Sequence, residues 1–482
     1  MSVIENLKPK LIWKQFDEIR KIPRCSKHEE KIRKYILDFA KEHDLKTKTD
    51  DVGNVVIIKP ASKGMEKKPT VVLQSHMDMV CEKNSDVVHD FAKDPIKLKK
   101  EGDILTADGT TLGADDGIGI AAALAILEDP ALKLGTVEAL FTVDEETGLT
   151  GAFALGSDML TGKVLLNLDS EDWGVITVGC AGGGNSDITV AIKTNQPPKD
   201  HVWLELKVTG LRGGHSGVDV HEQRANAIKL VSRLVWKADE YHDILLGEIK
   251  GGDKHNAIPR EASAIIGVKP DEEETIAQLL RHEAKNIGLE YKPIDPKFSF
   301  DITEGKMPSV VFDKASQENI VNMIHALPHG VEKMSYDIEG LVQTSTNLAK
   351  VSMEKDAVRI MMSSRSAVMS ELQNLRDQIH AIVTLCGGRV EEEEPYPGWK
   401  PDLDSKVLKL AKSLYKKKYG KDPVVEAIHA GLECGIIGEK YDGMDMISIG
   451  PTVKYPHSPE EQVHISTVEK FYDFVVNILE EI

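Results

Sequence analysis

The sequence predicts an α/β protein whose main domain is split along the chain: a central mixed sheet flanked by helices, interrupted by an inserted α+β domain whose sheet is covered by helices on one face. Three observations predict it. In the first part of the chain, short and nearly continuous apolar runs bounded by turn residues alternate with helical segments, the pattern of strands buried on both faces. After Gly182-Gly183-Gly184 the pattern becomes strict alternation, as in HVWLELKVTG, where Val202, Leu204, Leu206 and Val208 mark one covered face. From Pro401 the first style resumes. The split domain is therefore expected over 1–183 and 401–482, with the insert over 184–400. At 482 residues the chain is too long for one ordinary core, which also favours two domains.

The elements follow in order. Two helices are expected near the N-terminus, the second being KHEEKIRKYILDFAKEH, with Ile32, Tyr35, Ile36 and Phe39 on one face and Ser26 and Glu29 as its capping box. VGNVVII, PTVVLQSHMDMV, TVEALFTVDE and GKVLLNLDS read as strands, and DDGIGIAAALAILED between the second and third reads as a helix opened by aspartates. In the insert, HEQRANAIKLVSRLVWKAD, DEEETIAQLLRHEAKNIG, SQENIVNMIHAL and ELQNLRDQIHAIVTLC read as helices; IPREASAIIGVK, GLVQTSTNLAKV and DAVRIMMSSRS read as strands. The succession hints at internal doubling, without a repeated motif to establish it. Glu391 to Glu394 read as a solvated strand face. The last segment supplies helix SKVLKLAKSLYKKKYG, strands PVVEAIHAG and MDMISIG, and a terminal helix.

Composition narrows the function. Hydrophobic content of 41% and charged content of 29% describe a soluble globular chain, and a net charge of −18 argues against nucleic acid or an anionic membrane as partner. The longest apolar run, Ile118 to Leu127, is far short of the roughly 20 residues that span a bilayer, and MSVIENLKPK lacks a signal-peptide core, so a cytoplasmic location is expected. Cys25, Cys81, Cys180, Cys386 and Cys434 are dispersed without a Cys-x-x-Cys pair, which predicts reduced thiols and no zinc–thiolate site.

One stretch then demands explanation. FTVDEETGLTG closes an apolar strand with Asp144, Glu145 and Glu146, and no cation follows until Lys163. Either water solvates these carboxylates or a positive ion that is not a side chain sits among them. Other acids and histidines fall at similar places. His76 and Asp78 are two apart at a strand end and share a face; such a pair is often structural, but it also suits a metal-binding histidine oriented by a carboxylate. Asp115 and Asp116 lie at a strand-to-helix turn, where one aspartate suffices as N-cap and the other is left over. Asp169 ends another strand, and His457 lies in a loop after MISIGP. The carboxyl ends of α/β strands are where ligands bind, and His76, Asp115, Glu145/Glu146, Asp169 and His457 together fit two divalent ions, zinc first, with manganese or cobalt as alternatives.

SHMDMV, TLGADDGIG, VDEETG, NLDSE and YPHSPEE, in this order, resemble the co-catalytic dizinc metallopeptidases that include aminoacylase, carboxypeptidase G and peptidase T. GLRGGHSGVDV, HNAIPREA, VQTSTNLA, SSRSA, YPGWKP and AIHAGLECG extend the likeness, toward the aminoacyl-histidine dipeptidase branch, over nearly the whole chain; Asp116 and His329 depart from it, at positions expected to touch no ligand. The resemblance implies His76 and Asp169 on one metal, Glu146 and His457 on the other, Asp115 bridging, and a non-proline cis peptide after Asp115. It also implies Asp78 as the group orienting His76 and Glu145 as the general base acting on a metal-bridged hydroxide. In the insert, read through the resemblance as a substrate-closing lid, His215 of GGHSG would serve the oxyanion, and Asn256 and Arg365 would hold the substrate carboxylate. From the residues alone His215 could equally be a turn histidine and Arg365 a surface strand residue. Glu433 is considered for a free amino group and not assigned. The implied activity is hydrolysis of small peptides, dipeptides of the Xaa-His type such as carnosine in particular; a tripeptidase, carboxypeptidase, N-acyl amino acid deacylase or inactive scaffold are the alternatives. Whether the chain forms a homodimer is left open; if the insert is doubled, His215 can serve its own chain.

Overall fold

The computed structural model describes residues 3–482. The chain forms two compact units: Met1–Cys180 with Trp399–Ala427 and Leu432–Ile482, and Ala181–Gly398 with Ile428–Gly431.

The first unit is built on an eight-stranded mixed sheet. Across it the order is Lys46–Thr49, Val55–Lys59, Val137–Thr142, Val71–His76, Val164–Asn167, Asp445–Ser448, Val175–Cys180 and Val424–Ile428. Val71–His76 and Val137–Thr142 are buried at every position, because helices cover both faces; the near-continuous apolar runs are the sequence record of that double burial. Helix Ala114–Glu128, kinked at Asp115 and Asp116, is apolar all round and buried from Asp116 to Leu127, so it lies within the unit rather than on its surface. Two helices, Lys10–Ile19 and Glu30–Glu42, stand where the N-terminal pattern predicts them. A small four-stranded sheet, which includes Leu98–Glu101 and Ile104–Ala107, was not read from the sequence: its strands are only four residues long or shorter and too polar to show a period.

The second unit holds a nine-stranded sheet in two parts. Ser299–Glu304, Val202–Thr209, Ala262–Val268 and Leu245–Gly251 form one part; Val342–Met353, Ala357–Ser366, Gly182–Ala191 and Arg389–Glu392 form the other, with Gly330–Met334 paired to the first of these. The parts join through Gly251 and Val351. Helices Ala227–Tyr241, Glu273–Tyr291, Lys314–Ala326 and Met369–Leu385 complete a core in which Leu206, Ile249, Ile266, Leu348 and Ile360 meet Val231, Leu234, Ile320 and Ile379. The first of these helices starts later than its sequence pattern suggests. Asn226 caps it by accepting the N–H groups of Ile228 and Lys229, and residues 220–222 form a separate 3-10 turn.

The expectation of five free thiols is corrected. Cys25 and Cys81 are joined by a disulfide, 56 residues apart in sequence, because a parallel bridge sets Cys25 beside Met79; Cys180, Cys386 and Cys434 are free. Spacing alone could not reveal a pairing made by tertiary contact. Among the described residues, no helix is long and apolar enough to cross a membrane.

Candidate metal centre

Parallel strands end together, and this assembles the acidic residues. Val71–His76 runs parallel to Val137–Thr142 and to Val164–Asn167, and Asp445–Ser448 runs parallel to Val164–Asn167. Their carboxyl ends therefore share one edge of the sheet, the edge where open α/β sheets bind ligands. His76 is the last residue of its strand, Glu145 and Glu146 open the helical turn after Thr142, and Asp169 lies two residues past Asn167. The other two arrive differently from the expected strand ends. Asp115 comes from the start of helix Ala114–Glu128, and His457 from the loop between Val453–Lys454 and Gln462–His464. Gly450 lets the chain leading to His457 pass, since a Cβ there would lie 1.6 Å from the carbonyl oxygen of Ser170.

Asp115 is central. Its Oδ1 is 3.1 Å from His76 Nε2 and its Oδ2 is 3.1 Å from His457 Nε2. Asp169 Oδ1 is 3.4 Å from the same His76 nitrogen, and Glu146 Oε2 is 2.9 Å from the same His457 nitrogen. Each imidazole thus faces one carboxylate of its own and shares Asp115. Behind His76, Asp78 Oδ1 stands 3.3 Å from Nδ1, at ion-pair distance without hydrogen-bond alignment. Asp78 also accepts the N–H groups of Glu145 (3.0 Å) and Glu146 (3.2 Å) and the hydroxyl of Ser26 (2.7 Å). The Asp115–Asp116 peptide is cis.

Two local expectations are overturned here. Ser26 and Glu29 do not form a capping box, and helix Glu30–Glu42 has no side-chain cap. The buried carboxylate of Asp78 takes the Ser26 hydroxyl in a charge-assisted bond, and Glu29 Oε1 accepts the N–H groups of Lys27 and Asp144. Asp116 does touch an expected ligand: its Oδ2 accepts the N–H of His76 at 3.2 Å, while Oδ1 accepts the N–H of Gly119.

The electrostatics are those of anions crowded in low dielectric. Burial pushes the Glu145 carboxyl well above its usual range, helped by Asp169, Glu433 and Glu146 and opposed by His76. Burial likewise pushes Asp169 up to about 7. Bonds to Asp115 and Glu146 raise His457 to about 11; against its burial, Asp169 and Asp115 hold His76 well above its usual value. Despite burial, Asp115 between the two imidazoles stays far below the carboxylate range. Glu433, which sequence reasoning left unassigned, is buried with Oε2 accepting from Gln74 (2.6 Å) and Thr142 (2.7 Å); burial first, then Asp169 and Asp78, push it up to about 8.

The donors fit divalent ions. Imidazole nitrogens and carboxylate oxygens without thiolate suit zinc, manganese or cobalt, and the buried Glu146 Oε1 has no hydrogen-bond partner. Ligand atoms of Asp115, Glu146 and His457, of His76, Asp116 and Asp169, and of His76, Glu145 and Glu146 each lie within 4.8 Å of one another. A further acidic group, Glu29, Asp78 and Asp144, is accounted for by its donors: Thr147 and Thr150 hydroxyls bond Asp144, the Ser26 hydroxyl and two N–H groups bond Asp78, and two N–H groups bond Glu29.

The second unit gathers the remaining predicted residues at its own polar cluster. His215 pairs with Ala257 in a two-stranded ribbon, and its Nδ1 accepts the N–H groups of Gly217 (3.2 Å) and Val218 (3.0 Å). The ring proton therefore sits on Nε2. Burial, then the nearby Arg365, lowers the pKa of His215, so the imidazole is neutral near pH 7. Arg365 is no surface residue: it is 8% exposed on strand Ala357–Ser366, gives Nη1 to the Tyr396 hydroxyl at 2.8 Å, and keeps a buried Nε without a partner. A Cβ on Gly217 would lie 3.1 Å from His215 Cε1 and 3.2 Å from Arg365 Nε, which places both side chains beside that glycine. Asn256 joins the same turn by accepting the N–H of Ser216 with its carbonyl at 2.8 Å. His429 was not singled out from the sequence; it is buried, with Nε2 2.7 Å from Ser345 Oγ and a pKa lowered to about 3, chiefly by burial.

A mixed sheet whose carboxyl edge gathers two imidazoles around a shared carboxylate fits the dinuclear centre of a metal-dependent hydrolase. Residues 72–481 match peptidase family M20/M25/M40, and the chain belongs to that family. It is 39% identical to the cytosol non-specific dipeptidase of Escherichia coli K12, over all of this chain and 99% of that one. The crystal structure of aminoacylhistidine dipeptidase from Vibrio alginolyticus matches it with a TM-score of 0.94 at 42% identity, covering 100% of this chain and 98% of that one. Aminopeptidase PepT from Bacillus cereus shares the fold at a TM-score of 0.56 and 19% identity, over 98% of this chain and 99% of its own.

Proposed function

We propose that the protein is a cytoplasmic, metal-dependent dipeptidase with Xaa-His dipeptides such as carnosine among its substrates. The observation that carries the reading is Asp115, with one oxygen 3.1 Å from each of two histidines that each face a further carboxylate. The full-length likeness to a non-specific dipeptidase of the cytosol and to an aminoacylhistidine dipeptidase supports the substrate class and the location.

His76 and Asp169 would hold one ion, Glu146 and His457 the other, and Asp115 both. When bound, such a pair supplies Lewis acidity that lowers the pKa of water toward neutrality and offsets the crowded negative charge. Glu145, held through its backbone by Asp78, takes a proton from the attacking water and delivers it to the leaving amine. His215 presents a neutral Nε2–H, a donor suited to the developing oxyanion. Arg365 and Asn256 bind the substrate carboxylate, where a guanidinium can grip both oxygens.

Two variants probe the second unit. His215→Ala is expected to lower kcat by roughly 10²–10³-fold, the cost of one oxyanion donor, with KM little changed; a loss confined to KM would remove it from the chemistry. Arg365→Ala should lower kcat/KM by roughly 10–100-fold on free dipeptides, as for a hydrogen bond to a charged group. The same loss on C-terminally amidated dipeptides would contradict carboxylate binding. The reading as a whole is tested by stripping the protein of metal, refilling it with zinc, manganese or cobalt, and comparing Xaa-His dipeptides with other dipeptides, tripeptides and acetylated amino acids. Preference for tripeptides or acylated substrates, or no turnover with any metal, would overturn it.

A further inference from the structure

We propose that Glu461 is the positioning residue of Asp115: its buried carboxylate holds the turn that carries Asp115 by four consecutive backbone N–H groups. Oε2 accepts from Leu112 (2.7 Å) and Gly113 (2.9 Å), and Oε1 accepts from Ala114 (2.7 Å) and Asp115 (3.2 Å). Glu461 is 2% exposed. The inference rests on the reading of Asp115 as the shared ligand.

The first N–H groups of a helix have no partner within it and are ordinarily met by a side chain at the N-cap. Here the turn precedes the regular helix: Asp115 and Asp116 have non-helical φ/ψ, and Asp116 caps the helix that follows by accepting the N–H of Gly119 at 3.1 Å, which leaves the N–H groups of Leu112 to Asp115 in need of another partner. A carboxylate from elsewhere in the chain, that of Glu461, meets all four. The consequence is geometric: because Glu461 satisfies the backbone, Asp115 is free to turn both side-chain oxygens toward His76 and His457.

The other side of the turn is gripped as well. The Arg24 guanidinium donates to the carbonyls of Gly113 and Asp78, and to that of Met77 at 3.1 Å. A side chain at Gly113 would collide with it, since a Cβ would lie 2.7 Å from Arg24 Nη2, and the φ of +68° there suits glycine. Buried positive and negative charges therefore face one another across the turn, one on its carbonyls and the other on its N–H groups. Each also ties the turn to a histidine. Arg24 holds the end of the strand that carries His76, and Glu461 lies four residues after His457 in the same loop.

Glu461→Gln is the sharp test, because a carboxylate can accept all four N–H groups whereas an amide turns its own NH₂ toward two of them. Glu461→Asp keeps the charge and shortens the reach. Both variants and the wild type, as full chains, would be stripped and titrated with cobalt(II), following visible absorption, affinity by chelator competition, kcat, KM and thermal unfolding of the stripped protein. Cobalt affinity should fall roughly 10–100-fold in Glu461→Gln with an altered absorption band, as when a group orienting a metal ligand is lost. Its kcat should fall with KM little changed, and Glu461→Asp should recover part of each. Wild-type affinity and absorption in Glu461→Gln would overturn the proposal. If that variant fails to fold, Glu461→Asp decides: an altered band supports the proposal and a wild-type band overturns it. A wild type that binds no cobalt would instead overturn the metal reading of the site, and the proposal with it.

Discussion

Glu145→Gln is expected to retain both metals while kcat falls roughly 10³–10⁴-fold, the upper part of the range for a positioned acid–base group. The size follows from the proposed double service of Glu145, first as acceptor of the water proton and then as its donor to the amine. Metal retention follows from the geometry. Glu146, Asp115 and Asp169 make the ion-pair contacts at the two imidazoles, and Glu145, though a ligand atom of it lies within 4.8 Å of one on His76, forms no such pair with either ring. The substitution is nearly isosteric, and the backbone N–H of residue 145 would still bond Asp78. Metal analysis of the purified variant beside its kcat checks both halves. Loss of a metal would make Glu145 a ligand, and unchanged turnover would leave the general base to be sought elsewhere.

The neighbourhood that prepares Glu145 was only partly legible in the sequence. His76, Glu145, Glu146 and Asp169 could be found because parallel strands buried on both faces write themselves as apolar runs, and a charge at the end of such a run stands out. Asp115 and His457 could be placed at a strand-to-helix turn and in a loop, where the structure has them, but neither position has a period, so their approach to His76 was not legible. The residues that orient these groups were harder still. Ser26 and Glu29 have the spacing of a capping box, and local spacing cannot show that a buried carboxylate 52 residues away, Asp78, competes for the hydroxyl. Arg24 and Glu461 act on backbone atoms, so nothing in the composition of the partner segment marks them. The one signal for Glu461 was its place in the same short loop as His457, four residues on. Arg365 had a surface reading available because strand alternation does not tell which face a second layer covers; its burial comes from tertiary packing.

Metal loading is expected to expel between two and three protons at pH 7 and to strengthen at least about 100-fold for each unit of pH across pH 6–8, counting both ions together. The sign follows from the imidazoles. In the chain alone, His457 is raised to about 11 by Asp115 and Glu146, and His76 is raised well above its usual value against its own burial, so both are protonated at neutral pH. A metal takes only the neutral ring nitrogen, so each ion must displace one proton, and raising the pH lowers the competition. Asp169, at about 7, is half protonated at pH 7 and adds about half a proton there, rising toward a whole one at pH 6. The same shifts act on the stripped protein in the opposite direction. A histidine whose folded pKa lies above its unfolded value stabilises the fold fully below about 6.5, and that contribution is lost as pH rises toward about 11 for His457. The gap in thermal stability between loaded and stripped protein should therefore widen with pH. Calorimetric titration of zinc in buffers of different ionisation enthalpy counts the protons released, and chelator competition at pH 6, 7 and 8 measures the slope. Release near zero with a flat affinity would mean that the two rings are neutral before metal arrives, and that the carboxylates around Asp115 are kept apart by something other than the imidazolium charges.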